Sequence, residues 1–164
     1  AAVNYHESVY IRLTGGSNNP IVYQNDYNFE IGKSIILNEG DDITIFATGS
    51  MVAVSQNITK ILKSEGISIE LINIHTIKPM DKKQIIKSAQ KSKLFVSVEE
   101  HSLIGGMGSS ISEICSELKN SPRLIKFGLR DEYKISGDYS YILEENNLTA
   151  EKISEEIKKE FKNI

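Results

Sequence analysis

Residues 98–110 read VEEHSLIGGMGSS and hold the side chains of this chain best suited to chemistry. Two carboxylates, Glu99 and Glu100, precede His101, and a glycine-rich turn follows. Carboxylates and an imidazole can act as general acids and bases near neutral pH. A glycine-rich turn before a helix can instead offer backbone amides to an anion. The stretch therefore raises two hypotheses, acid–base catalysis and anion binding.

The acid–base hypothesis requires consecutive residues to converge on one point. Consecutive residues of an extended chain point in different directions, so a working pair would need the turn to fold them together. We expect instead that Glu100 or His101 contacts the next loop or a neighbouring subunit, and both are interface or substrate-adjacent candidates. His6 and His75 stand alone and receive structural or surface roles, because the local sequence offers too few ligands for a metal site.

The anion hypothesis applies to two junctions between a strand and a helix. Gly49 and Ser50 follow the apolar run DITIFAT, and Gly106 and Gly108 follow the run that contains LFVSV. Ligands of open parallel sheets bind where strands end and helices begin. These four residues are therefore a possible anion site.

Other site motifs are excluded by spacing. A dinucleotide fingerprint needs Gly-x-Gly-x-x-Gly, but the pattern that starts at Gly106 reaches Ile111 in place of the third glycine. The Gly-x-Ser-x-Gly motif of a nucleophile elbow is absent. Cys115 lies on the apolar face of a predicted helix, where an inert core thiol is expected.

The composition limits the classes of partner. The chain has 164 residues, of which 40% are hydrophobic and 25% charged, as is typical of one soluble domain with a buried core. A formal net charge of -3 gives no electrostatic reason to expect nucleic acid or an anionic membrane. The single cysteine, the lack of a bilayer-length apolar run and the lack of a signal-peptide pattern predict a cytoplasmic protein.

Hydrophobic periodicity predicts alternating strands and helices. Residues 34–37 and 42–48 read as two short strands around NEGD and are predicted to form an antiparallel hairpin. A helix is predicted over residues 50–64, and Gly66 can end it in the left-handed conformation. Residues 67–74 form the next predicted strand.

The alternation continues to the end of the sequence. The further elements are a helix capped by Asp81, a strand at 94–98, a helix at 107–118, a strand at 123–129 and a final amphipathic helix capped by Thr149. Strands separated by helices of this length pair in parallel. The prediction is a three-layer α/β domain with a mostly parallel mixed sheet and one antiparallel strand.

The N-terminal region differs from this pattern. Residues 9–13, VYIRL, read as a buried strand, and residues 14–32 read as a polar linker. The chain thus opens in the middle of a structural unit, which predicts a piece of a longer protein.

Four separated phrases, EGDDITIFATGSMV, EGISIELINIHTIKPMD, LFVSVEEHSLIGGMGSSISE and LRDEY, together resemble the C-terminal domain of transketolase-type thiamine-diphosphate enzymes. The resemblance runs from about Gly32 to the end and implies a Rossmann-like fold. It implies that residues 1–31 are the tail of a preceding pyrimidine-binding domain with a linker, and that residues 32–164 are the C-terminal domain.

Within this superfamily, Glu-Glu-His before Gly-Gly-x-Gly-Ser is similar to the transketolase C-terminal section. Deoxyxylulose phosphate synthases tend to carry Asn at the position of His101, and the beta subunits of 2-oxo acid dehydrogenases usually lack this form. Both remain alternatives.

The resemblance also implies that cofactor binding and this chain's role belong to different domains of the enzyme. In the family, thiamine diphosphate and Mg²⁺ are held by other domains, and the complete enzyme transfers two-carbon ketol units between sugars. This chain would then carry no catalytic residue and bind no cofactor, and it would support the enzyme's architecture and a homodimer together with the missing cofactor-binding domains or subunit. The alternative of another class is an independent small-anion-binding module.

Two positions depart from the family pattern. The family pattern Ile-Arg-Leu-x-Arg-Gly is matched at Arg12, which the resemblance makes a third substrate-adjacent or interface candidate. Gly15 stands at the position of the second arginine, which in the family lies near the phosphate end of the substrate. The family's later histidine is replaced by Ser136. A missing arginine removes a strong phosphate contact, so phosphorylated substrates do not follow from the resemblance.

Overall fold

A computed structural model describes residues 1–13, 20–133 and 136–164. Within these residues, five strands form one sheet: β1 (Ile35–Asn38), β2 (Ile43–Ala47), β3 (Ile69–Asn73), β4 (Leu94–Ser102) and β5 (Arg123–Leu129). The α-helices are α1 (Met51–Ser64), α2 (Lys82–Ala89), α3 (Met107–Ser116), α4 (Tyr139–Glu145) and α5 (Ala150–Lys162).

The strand order is β1-β3-β2-β4-β5. The strand pairs β2–β3, β2–β4 and β4–β5 are parallel, and the edge strand β1 is antiparallel to β3. The predicted α/β class and the mostly parallel mixed sheet are therefore confirmed.

Side-chain alternation along the strands divides the core into two layers. Helices α1 and α5 cover one face of the sheet, where Ile153 and Ile157 of α5 are fully buried. Helices α2 and α3 cover the other face, where Phe46 and Phe95 meet edge to face. The arrangement is the predicted three-layer sandwich.

The predicted hairpin of β1 with β2 is wrong. Strand β1 pairs with β3, and Ile35 lies opposite Asn73. The segment between β1 and β2 instead crosses the start of β3 and contacts it. The amide of Asp42 donates there to the carbonyl of Ser68. Gly40 lies so close to Ile69 that an added Cβ would be 2.2 Å from its carbonyl carbon. This crossing places β2 in the centre of the sheet, where parallel neighbours occupy both sides.

The buried strand predicted at residues 9–13 is also wrong. These residues form no strand, and Tyr10 and Leu13 are 89% and 83% exposed. A strand needs a neighbour to pair its backbone groups, and the described part of the chain supplies none here. Part of the predicted linker, residues 14–19, lies outside the described residues.

Local signals for helix ends gave mixed results. Asp81 caps α2 by accepting from the amide of Gln84 at 3.2 Å, and Gly66 has the predicted positive φ of 83°. Thr149 precedes α5 but makes no side-chain capping bond. Helix α4 was not predicted, and β4 continues four residues beyond its predicted end at Val98.

No helix among the described residues has the length and apolar character that crossing a bilayer requires.

Candidate functional site

The candidate site lies at the carboxyl ends of β2 and β4, which are adjacent and parallel. The helices that follow them, α1 and α3, lie on opposite faces of the sheet. Ligands of open α/β sheets bind at such a switch point. Both predicted anion-binding junctions, at Gly49 and at Gly106, are therefore in the region where the fold would hold a ligand.

Glu99 occupies the N-terminus of α3. Its Oε2 accepts from the amide of Met107 at 2.7 Å, and its Oε1 accepts from the amide of Gly108 at 2.8 Å. The side chain is buried, with 1% exposure. First-turn amides and the helix dipole favour a negative charge here. The carboxylate therefore fills the position that an external anion would take.

Gly106 and Gly108 allow the start of α3 to pack closely against β4. A Cβ on Gly106 would be 2.4 Å from Oε2 of Glu99, and a Cβ on Gly108 would be 2.4 Å from Oγ of Ser97. Any side chain would therefore push α3 away from β4. Their presence is explained without a ligand, because the protein's own atoms approach the backbone.

Glu100 points to the other face of β4, towards α1. Its Oε2 accepts from Oγ of Ser50 at 2.5 Å and from the hydroxyl of Tyr139 at 2.8 Å. Burial raises the pKa of Tyr139, and the hydrogen bond to Glu100 and the negative charge of Glu100 raise it further. Hydrogen bonding with Ser50 acts in the opposite direction. The Glu100 carboxylate thus joins the start of α1 to the start of α4.

At the junction between β2 and α1, polar groups of Thr48 and Ser50 are also engaged by other groups of the protein. Gly49 has a φ of 59°, which glycine adopts without strain. The amide of Thr48 donates to the carbonyl of Val98 at 3.4 Å, and the side chain of Ser50 is engaged by Glu100. An external anion would have to compete with these contacts and approach a carboxylate.

His101 and Arg12 do not join this cluster. The His101 ring is exposed, and its Nδ1 lies 3.2 Å from the carbonyl oxygen of Ser102. Arg12 is exposed in a segment without helix or strand, and Gly15 lies outside the described residues. Among the described residues, no hydrogen bond or ion pair joins the candidates Arg12, Glu100 and His101 to one another.

His75, predicted to have a structural or surface role, contacts the segment before β1. Its ring contacts Phe29 at a centroid distance of 4.2 Å, and its Nδ1 lies 2.9 Å from Oγ1 of Thr76. Burial lowers the pKa of His75, against the opposing effect of the Asp81 charge. Its Nε2 is buried and has no hydrogen-bond partner among the described residues. These surroundings favour the neutral ring.

A metal or phosphate site finds little support elsewhere. The described residues contain no group of three or more His, Cys, Asp or Glu side chains placed to hold a metal. Gly32-Lys33-Ser34 resembles the end of a phosphate-binding loop, but it precedes a strand, and both the amide and the hydroxyl of Ser34 donate to Asp81. Cys115, on α3, is buried in the core, as predicted.

Sequence reasoning missed the helix cap and the tyrosine contact. The pattern held a signal for the first: Phe95, Ser97 and Glu99 alternate on one face of β4, and extending that alternation to Glu99 places it on the α3 side. Tyr139 gave no comparable signal because it lies 39 residues from Glu100 in the sequence.

A second buried carboxylate was also missed. Glu70 is fully buried in β3, with Oε1 3.0 Å from Nζ of Lys91 and Oε2 accepting from Oγ1 of Thr44 at 2.9 Å. Burial lowers the pKa of Lys91, but Glu70, Glu39 and Asp41 together raise it above its ordinary value. This ion pair lies at the amino edge of the sheet, away from the switch point.

Several curated proteins match this chain in sequence along nearly its whole length. A protein of Methanocaldococcus jannaschii described as a transketolase C-terminal section is 39% identical over 96% of this chain and 49% of its own length. A 6-deoxy-6-sulfo-D-fructose transketolase subunit of a Clostridium species is 40% identical over 88% of this chain and 44% of its own. A 1-deoxy-D-xylulose-5-phosphate synthase of Heliobacterium modesticaldum is 32% identical over 93% of this chain and 24% of its own. The chain thus spans about half the length of the first two relatives, or less.

Solved structures agree with these matches. A split-gene transketolase, described as an inactive beta4 tetramer, superposes with a TM-score of 0.78 at 35% identity, over 87% of this chain and 46% of the other. Transketolase from Pichia stipitis shares the fold, with a TM-score of 0.62 at 22% identity, over 79% of this chain and 18% of the other. Residues 32–153 match the family described as "Transketolase, C-terminal domain". The chain therefore belongs to the transketolase C-terminal domain family.

Proposed function

We propose that this chain is the cofactor-free, architectural C-terminal part of a transketolase-type enzyme. The assembled enzyme transfers two-carbon ketol units between sugars with thiamine diphosphate and Mg²⁺. The observation that carries the proposal is the buried Glu99 carboxylate on the first amides of α3. The Glu99 carboxylate occupies the N-terminus of α3, where a bound diphosphate would otherwise be expected in this fold.

The residues present do not fit thiamine diphosphate and its metal. The described residues contain no cluster of metal-ligand side chains. At the switch point, the two side chains that face α1 and α3 are carboxylates, Glu100 and Glu99, which would repel a diphosphate. No step of the reaction is therefore assigned to this chain.

Ketol transfer is supported by the relatives. Proteins described as transketolase sections or subunits match the chain at 39% and 40% identity, against 32% for the deoxyxylulose phosphate synthase. The synthase remains the alternative parent. Gly15 and Ser136 replace residues that the family uses, so the proposal leaves the phosphorylation of the sugar open.

The partners proposed are the cofactor-binding domains or subunit of the same enzyme, within a homodimeric assembly in the cytoplasm. Relatives named as subunits, and a solved split-gene transketolase, support a parent divided between polypeptides. Within the chain we propose a tail at 1–31 and a domain at 32–164, and a family match over residues 32–153 supports the boundary at residue 32.

Reconstitution tests the proposal. The purified protein alone is expected to show no ketol transfer from a ketose donor to an aldose acceptor in the presence of thiamine diphosphate and Mg²⁺. Addition of the polypeptide that carries the cofactor-binding domain should restore the activity, and sedimentation should show a dimeric assembly. Ketol transfer by this chain alone would contradict the proposal, as would a reconstituted enzyme that instead condenses pyruvate with an aldose phosphate.

A further inference from the structure

A groove lies between α1, β1 and residues 21–24, at the edge of the sheet. Its volume is about 650 Å³. Pockets that hold small molecules measure about 300–1,000 Å³. The groove is therefore large enough for a small organic ligand, and it is separate from the carboxylates at the switch point.

Apolar side chains line part of the groove. Val22, Leu37 and Leu71 are among its lining residues, and Leu71 is buried beneath the surface. Gln56 of α1 donates from Nε2 to the carbonyl of Val22 at 3.4 Å and so ties residues 21–24 to the helix. The groove thus has an apolar part and a wall tied to α1.

Lys63 is positioned at the groove by the uncharged side chain of Asn38. Its Nζ donates to Oδ1 of Asn38 at 3.0 Å. The amide nitrogen of Asn38 in turn donates to the carbonyls of Ile69, at 2.5 Å, and Glu39, at 2.9 Å. Asn38 therefore positions the ammonium group without neutralising its charge.

Lys60 adds a second positive charge on the same side. It lies one helical turn from Lys63, and its Nζ approaches only the neutral Oδ1 of Asn57, at 3.5 Å. Among the described residues, neither lysine forms an ion pair, whereas Lys82, Lys91 and Lys158 each contact a carboxylate. A chain of net charge -3 thus keeps two uncompensated cations at one groove.

We propose that this groove binds a small organic anion, namely a phosphate monoester or carboxylate with a short carbon body. Lys60 and Lys63 contact the anionic group, and the half-buried side chains of Val22 and Leu37 contact the carbon body. Charged hydrogen bonds supply orientation, and apolar contact favours an organic anion over a bare ion. The site goes beyond the proposed function, because it lies outside the switch point and requires no cofactor.

Lysine footprinting tests this site on the purified protein. Acetylation of Lys60 and Lys63 is followed by mass spectrometry while glycerol 3-phosphate, inorganic phosphate or uncharged glycerol is titrated. Glycerol 3-phosphate should protect both lysines saturably and at lower concentration than inorganic phosphate, and glycerol should not protect them. Absence of saturable protection would overturn the proposal, and equal protection by inorganic phosphate would overturn the contact with the carbon body.

Two variants that each remove one positive charge distinguish binding at this groove from nonspecific electrostatic attraction to the protein. Lys63→Gln should weaken the binding of glycerol 3-phosphate, measured by calorimetry, about tenfold, because one charged contact is lost. Lys119→Gln removes the same charge from an exposed position beyond α3 and should leave the affinity unchanged. Equal losses in the two variants would overturn the proposal. Because the readout is binding, failure here leaves the reconstitution result of the proposed function unaffected.

Discussion

Glu99 and Glu100 are neighbours in β4, and their carboxylates bind groups at the starts of two helices on opposite faces of the sheet. Glu99 accepts from the amides of Met107 and Gly108, and Glu100 accepts from the hydroxyl of Ser50, which precedes α1. Successive side chains of a strand point to opposite faces of the sheet, which accounts for this division. A pair that looks catalytic in the sequence is thus separated by the sheet and used to fix two helices.

The cap on α3 predicts a stability loss in Glu99→Gln. The neutral amide would place an N–H donor against a backbone amide, so the free energy of unfolding should fall by about 1–3 kcal/mol. Denaturant titration measures the change. Glu113→Gln, which removes an exposed carboxylate from the same helix, is the matched control and should be nearly neutral. Equal stability of the two variants would show that the Glu99 contacts contribute nothing.

The alternation of strands and helices, and hence the fold class, followed from local periodicity. Strand partners did not: the short NEGD link favoured a hairpin of β1 with β2, but burial of β2 between two parallel neighbours outweighed it. The two glycine-containing junctions were predicted at the carboxyl edge of the sheet, where the structure has them. The contact of Glu99 with α3 was not predicted, because it depends on how the turn at Gly106 packs.

The Glu100 contact predicts a local effect of Tyr139→Phe. The only change is loss of one hydroxyl donor, so amide exchange in α4 should accelerate while overall stability changes by about 0.5–1 kcal/mol. Tyr141→Phe, two residues further along α4, is the control. Exchange rates in α4 that respond equally to both variants would argue against a specific role for the Tyr139–Glu100 bond.

The same bond predicts a dependence on alkaline pH. The pKa of Tyr139 is raised, first by burial and also by Glu100, so its folded state binds the phenolic proton more tightly than the unfolded state. The resulting stability is fully present below the unfolded pKa of about 10 and is lost as the pH rises through the raised value. Tyr139→Phe should flatten the fall in the urea midpoint at alkaline pH, and an unchanged profile would contradict the assignment.

His75 predicts a loss of stability in mild acid. Because burial lowers its pKa, the unfolded state binds a proton first as the pH falls through about 6.5, and the folded state is destabilised below that pH. His75→Phe keeps an aromatic ring against Phe29 and removes the titration. The urea midpoint should therefore fall less between neutral and mildly acidic pH in this variant than in His101→Gln, whose ring is exposed. Identical slopes would exclude His75 as the source.

The buried ion pair predicts unequal roles for two nearby lysines. Lys91→Met would leave Glu70 buried without a counter-ion, which should cost about 3 kcal/mol. Lys93→Met breaks a partly exposed pair with Asp42 and removes an ammonium group 5.8 Å from the ring centroid of Phe161, which together should cost about 1 kcal/mol. Thermal and denaturant unfolding measure both changes. Adding Glu70→Gln to Lys91→Met should recover part of the loss, and no recovery would contradict the pairing.

Calorimetric titration of the isolated chain with thiamine diphosphate and Mg²⁺ tests the central claim most directly. The claim is that the ligand position of this fold is filled by Glu99 and Glu100, so the chain holds no cofactor of its own. The predicted result is heat of dilution only, for the wild-type chain at neutral pH. Saturable heat with a defined stoichiometry would contradict the account.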